Sequence, residues 1–287
     1  ELYFYSNGSL KCVSDYNKWL EEYELSKPKK LNFDYEDIEF DGYVFKPTSF
    51  DENKNYPGVL IIHGGPKMIY SDVYSHDIQL LCSKGYFVFY FNPTGSDGRG
   101  DEFSNIRGRF GKEPFKQFMK FTDEVLKKYE NLDEKRLGVT GGSYGGYMTN
   151  YIIGHTNRFS VAVSERGISS MITAFTSSDI GYKFIYEYMG NNATPWSDMN
   201  AYIVESPITY ADYVKTPTLF VHGKDDYRCH YTESLNMYSA LNYLRIDSKL
   251  CLFEGENHGL VVMGKPRSKE RRFNEMVNWF GKYLKRE

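Results

Sequence analysis

Apolar and polar positions follow two regimes along the chain. Up to Phe45 the pattern is that of short hairpins: Leu2–Tyr5 and Leu10–Val13 flank Asn7-Gly8, a favoured tight-turn pair. A helix-like stretch from Tyr16 to Leu25 follows, then the linker-like Lys27-Pro-Lys-Lys30. Leu31–Phe45 alternates around Asp41-Gly42 and predicts a second hairpin. From Tyr56 onward the regime changes. Val59–Ile62 and Tyr86–Phe91 are unbroken apolar runs, the signature of strands buried on both faces. Leu137–Thr140, Ser160–Ser164, Thr218–Val221 and Lys249–Phe253 continue the series. Between them, helical patterns are predicted over Val73–Ser83, Phe115–Tyr129, Tyr147–His155, Thr232–Leu241 and Lys269–Tyr283. Alternation of this kind predicts an α/β protein, a mostly parallel sheet flanked by helices, with functional loops gathered at the carboxyl ends of the strands. One connection is unusual. About fifty residues rich in Tyr, Phe and Met separate Ser164 from Thr218, long enough to predict a helical cap over the site.

The chemistry-bearing residues sit in this frame. Gly141-Gly-Ser-Tyr-Gly145 has the form G-x-S-x-G, directly after a strand and before a helix. The glycines are needed because the turn at the serine is so tight that side chains two positions away would clash. That context marks Ser143 as the nucleophile of an α/β-hydrolase fold. A serine hydroxyl needs a general base, and in this fold the order along the chain is Ser, acid, His. His63 and His76 precede the serine, His155 and His222 precede any late acid, and His230 opens the next helix. His258, in Glu256-Asn-His-Gly259, remains as the base. The acid should follow the strand Thr218–Val221, where Asp225 and Asp226 are both available. The backbone N–H of Tyr144 is one expected oxyanion donor, and the loop His63-Gly-Gly-Pro66 should supply the other.

Composition narrows the picture further. A net charge of −3 argues against a nucleic-acid partner, which would call for a basic footprint. The basic run Lys265 to Arg272 opens an amphipathic helix and reads as a solvated face. No run of about 18 apolar residues exists, so no membrane-spanning helix is expected, and no signal-peptide pattern opens the sequence. The four cysteines, Cys12, Cys82, Cys229 and Cys251, show no CxxC pair and fit neither a disulfide framework nor a zinc site. Reduced thiols and a cytoplasmic location are the expectation. No metal or organic cofactor is implied. Aromatic residues are abundant, at 17% with 26 Tyr and 20 Phe, which suits strands and aromatic-lined pockets alike.

Several motifs together resemble a known family. Gly141-Gly-Ser-Tyr-Gly-Gly-Tyr-Met148 is similar to the nucleophile motif of the prolyl oligopeptidase family of serine peptidases. Asp226-Tyr-Arg-Cys229, Gly255-Glu-Asn-His258, Ser178-Asp-Ile-Gly-Tyr182, Ser206-Pro-Ile-Thr-Tyr210 and Gly264-Lys-Pro-Arg267 resemble its acylaminoacyl-peptidase-like branch, as does His63-Gly-Gly-Pro66. The likeness runs from about Leu31 to the C-terminus. It implies a Ser143–Asp226–His258 triad, selecting Asp226 over Asp225, and it points to Gly65 as the second oxyanion donor. In other branches a tyrosine hydroxyl donates from the position held here by His63, which makes His63 the runner-up. Arg228 matches a family arginine near the pocket entrance and is a candidate substrate contact. The sequence departs from the branch at His230, where proline is usual, and at Gly259, where glutamate is common.

The activity implied is hydrolysis of short peptides, including N-acylated ones, through an acyl-enzyme. A carboxylesterase or a catalytically silent binding domain of the same fold are the rival readings. Family members carry a β-propeller ahead of this domain. Residues 1–30 are accordingly read as a propeller remnant plus linker, and 31–287 as the catalytic domain. An open, apolar-rimmed site would favour self-association, and either a homo-oligomer or a less stable chain is expected.

Overall fold

The computed structural model describes residues 1–285, and the apolar runs become strands whose alternate residues face two separate cores. In β5 (Tyr56–Ile62), Leu60 and Ile62 enter one core, whereas Val59 and Ile61 enter the other. In β6 (Phe87–Phe91), Phe87, Phe89 and Phe91 separate in the same way from Val88 and Tyr90. This is the period of two of an extended chain, with both faces apolar because both are covered.

The main sheet has eight strands, built from β3 (Lys29–Tyr35), β4 (Ile38–Phe45), β5, β6, β7 (Leu132–Gly142), β8 (Val161–Glu165), β9 (Thr218–Gly223) and β10 (Ser248–Phe253). Their spatial order is β10-β9-β8-β7-β5-β6-β4-β3. All neighbours from β6 to β10 pair in parallel, and β4 is antiparallel to both β6 and β3. One face is covered by α3 (Lys112–Lys128), α4 (Tyr144–His155) and α8 (Thr232–Tyr243), through Phe118, Phe121, Met148 and Met237 among others. The other is covered by α1 (His76–Ser83) and α10 (Pro266–Leu284), through Leu81, Met276 and Phe280. Two short helices, α2 (Gly100–Ser104) and α9 (Leu260–Met263), precede α3 and α10. The long connection after β8 forms α5 (Met171–Ser177), α6 (Gly181–Met189), α7 (Met199–Val204) and a 3₁₀ helix over Pro207–Tyr213, which is the expected helical cap.

Three expectations need correction. The second hairpin turns at Glu36-Asp37, both with positive φ, and Asp41-Gly42 lies inside β4 opposite Asn32 and Leu31. Gly42 serves packing there, since a Cβ would stand 2.3 Å from the Phe121 ring. The predicted helix from Tyr16 to Leu25 is only a 3₁₀ turn over Lys18–Glu22, which buries no side chain and so gains nothing from lengthening. The basic run is not wholly solvated either. Arg272 is 2% exposed and bridges Glu165 at the end of β8 and Asp77 in α1. At the N-terminus, β1 (Tyr3–Ser6) and β2 (Ser9–Cys12) do form the expected Asn7-Gly8 hairpin, and every residue of both strands is exposed. Among the described residues, no helix is long and apolar enough to cross a membrane.

Candidate active site

β7 ends at Gly142 and α4 begins at Tyr144, so Ser143 alone makes the turn between them. It does so at φ 61° and ψ −119°, a conformation that L-residues rarely hold and that is typical of strained functional turns. The flanking glycines let the turn press against β5. A Cβ on Gly145 would lie 2.1 Å from the Ile62 carbonyl oxygen, and one on Gly141 would lie 2.6 Å from it. The Ser143 N–H donates to the Glu165 carbonyl at 3.0 Å, tying the turn to β8. Ser143 Oγ is thereby raised above the carboxyl edge of the sheet.

The loops after β9 and β10 meet it there. Ser143 Oγ–H donates to His258 Nε2 at 3.0 Å, and His258 Nδ1–H donates to Asp226 Oδ2 at 2.7 Å. A carboxylate can only accept, so this bond fixes the imidazole tautomer with Nε2 free to accept from serine. Asp226 is fully buried. Its Oδ1 accepts the backbone N–H groups of Arg228 and Cys229, each at 2.9 Å. Burial alone would raise the carboxyl pKa, but hydrogen bonding to His222 and His258 prevails and holds it well below the usual carboxylate range. Asp225 makes no such contact with His258: its N–H donates to the Glu256 carbonyl.

His222 is a neighbour that sequence order had set aside. Its Nε2–H donates to the Cys229 carbonyl at 2.7 Å and lies 3.4 Å from Asp226 Oδ2, while Nδ1 accepts from Ser234 Oγ–H at 2.7 Å. It pins the acid loop to α8. Glu233, also in α8 and buried, accepts from the N–H groups of Ser169 and Ser170 and from the Ser169 hydroxyl, and so holds the start of the cap. Neither role has a sequence signal beyond the spacing of His222 from Asp226.

A cavity of about 400 Å³ opens over the serine. Gly64, Gly65, Ser143, Tyr144 and His258 form its reactive end, and Phe110, Ile168, Ala174, Ile180, Phe184 and Ile185 form an apolar wall drawn mainly from the cap. The Tyr144 N–H belongs to the first turn of α4, where backbone donors have no partner within the helix. Gly65, at φ 110°, lets its loop pack beside the elbow, with Gly64 against the Gly142 carbonyl and Ser143. His63 is buried with both ring nitrogens occupied: Nδ1–H donates to the Gly64 carbonyl at 2.7 Å, and Nε2 accepts from Ser96 Oγ–H at 2.9 Å. Arg228 lines the cavity and is paired with Asp179, Nε to Oδ1 at 2.8 Å and Nη2 to Oδ2 at 3.2 Å. Cys229, one of the four cysteines, is a buried part of the same lining. Among the described residues, no cluster of His, Cys, Asp and Glu is placed to hold a metal ion.

Comparison with known proteins agrees with this architecture. The Pyrococcus horikoshii acylaminoacyl peptidase structure superposes with a TM-score of 0.95 at 34% identity, over 100% of this chain and 46% of that one. An acylaminoacyl peptidase in complex with Z-Gly-Gly-Phe-chloromethyl ketone matches equally well, with a TM-score of 0.95 at 34% identity over 99% of this chain and 46% of that one. The uncharacterized peptidase YuxL of Bacillus subtilis is 39% identical over 93% of this chain and 41% of its own length. Dipeptidyl-peptidase 5 of Schizosaccharomyces pombe is 32% identical over 88% of this chain and 38% of its own. The chain thus spans less than half the length of these relatives. Residues 72–287 match the prolyl oligopeptidase family, and with the α/β-hydrolase fold and these relatives they place the chain in that family.

Proposed function

We propose that this chain is a serine peptidase domain that hydrolyses short peptides, N-acylated ones among them, through an acyl-enzyme on Ser143. The observation that carries the reading is the hydrogen-bonded relay from Ser143 to His258 to Asp226, with the acid buried and held ionised. In this reading Ser143 Oγ attacks the scissile carbonyl carbon as its proton passes to His258 Nε2. Asp226 stabilises the imidazolium that forms. The resulting oxyanion is received by the N–H groups of Tyr144 and Gly65, each such donor contributing about 3 kcal/mol in the transition state. His63 is not used, because its only ring N–H is already donated to the Gly64 carbonyl. His258 then gives its proton to the leaving amine, the C–N bond breaks, and water repeats the sequence on the acyl ester. Arg228 uses one edge of its guanidinium on Asp179 and offers the remaining Nη1 to substrate at the cavity mouth. The apolar cap wall receives an uncharged side chain or blocking group.

The test is labelling with a fluorophosphonate followed by kinetics on matched acyl-peptide amides and esters. Labelling confined to Ser143, with turnover of both substrates, is the expected result. Labelling with ester turnover alone would make the chain a carboxylesterase, and absence of labelling in a folded chain would leave only a binding domain.

A further inference from the structure

Arg166 stands beside the nucleophile with nothing to hold. It follows β8 directly, at φ 42°, a left-handed conformation costly for a residue with a side chain. Its backbone N–H donates to the Val221 carbonyl, so the residue is fixed to the strand that carries the acid loop. The guanidinium lies over Gly142, the residue preceding Ser143, where a Cβ would stand 2.6 Å from Nη2 and 2.8 Å from Nη1. It lines the same cavity as Ser143 and His258. Yet among the described residues its side chain makes no hydrogen bond or ion pair, and its Nε is buried without a partner.

The neighbouring charges do not supply what is missing. Asp77 and Glu165 share a small polar recess with Arg166, but both are hydrogen-bonded to Arg272. The other arginine of the catalytic cavity, Arg228, has Asp179. An arginine presents a rigid planar fork that matches a carboxylate at two points, and leaving the buried Nε–H of that fork unpaired is costly.

Building on the reading of Ser143 as nucleophile, we propose that Arg166 is a specificity residue that receives a carboxylate of the peptide substrate, next to the bond that is cut. The carboxylate is either the α-carboxylate of a short peptide or an acidic side chain near the scissile bond. Both present the same two-oxygen acceptor to the fork. The reaction then selects anionic short peptides over neutral ones.

Binding, rather than turnover, tests this, so the outcome does not depend on how Ser143 reacts. In Ser143→Ala protein, calorimetry would compare acetyl-trialanine with a free carboxylate, its C-terminal amide, and an amide whose middle residue is glutamate. One of the two anionic peptides should bind about tenfold to a hundredfold more tightly than the neutral amide, and which one does identifies the source of the carboxylate. Adding Arg166→Gln should abolish that difference. Arg166→Lys keeps the cation and guards against a folding defect; it should retain only part of the preference because the fork is lost. Equal binding of all three peptides overturns the proposal. So does a preference that persists in Arg166→Gln, or one that is unchanged in Arg166→Lys.

Discussion

Asp226 sits among four polar hydrogens, two from backbone N–H groups and two from imidazoles, and this crowding gives it a role that Asp225 cannot share. Asp226→Asn should lose about 10⁴ in kcat, because an amide nitrogen opposite His258 favours the wrong tautomer. Asp225→Asn should be much milder, and a reversed order in acyl-peptide kinetics would move the acid by one residue. The family resemblance was needed to choose between the two in the sequence, since adjacent carboxylates in a loop have no period to separate them. A second buried carboxylate behaves in the opposite way. Burial raises the pKa of Glu205, although the Gly111 N–H and the Tyr147 hydroxyl donate to it. Its folded pKa exceeds the ordinary value of 4.5, so the native state binds more protons between the two values. Its contribution to stability is therefore present at acid pH and is lost as pH rises from about 4.5 through the folded value. Glu205→Gln keeps the acceptor and removes the titration. Urea midpoints measured from pH 4 to 8 should show a flatter profile for the variant, with the gain over the parent growing toward neutrality.

At the level of elements, strands were the most legible part of the sequence, because a segment buried on both faces has no polar positions to disguise it. The helices were found from their apolar stripes, with starts misplaced by three residues in α1, α3, α4 and α10. What stayed hidden depended on distant partners. Gly42 looks like a turn residue until Phe121 is seen against it, and Arg272 looks like one charge in a solvated run. Its carboxylates come from 107 and 195 residues away along the chain, a separation no local pattern records. That triad ties α10 to α1 and to the strand end that holds the nucleophile turn. Arg272→Met should cost about 3–5 kcal/mol, because it leaves Glu165 buried without its counter-charge. Denaturant titration measures the loss directly. A change below about 1 kcal/mol would mean that the cluster is no more than a solvated surface pair.

On the scale of the whole molecule, exposed apolar side chains flank the loops around Ser143 and His258. Met68, Ile69, Val73 and Tyr74 follow the Gly64–Gly65 loop, and Val262 and Met263, 79% and 77% exposed, follow His258. Patches of this kind recruit partners. The isolated chain is therefore expected to self-associate, and Val262→Ser with Met263→Gln should shift sedimentation toward the monomer; a monomeric parent at the same concentration would contradict this. The hydrogen bond from Ser143 to His258 has a further consequence in time. Ser143 and His258 are 115 residues apart, and His258 follows β10, the edge strand that pairs with β9 in the sheet whose face α10 covers. A ribosome delivers Ser143 well before His258, and domains fold as units during synthesis. In the proposed mechanism, a nascent chain bearing Ser143 is therefore expected to pass through translation without hydrolytic competence. Neighbouring polypeptides would, on that reading, be spared until β10 and α10 have emerged and docked.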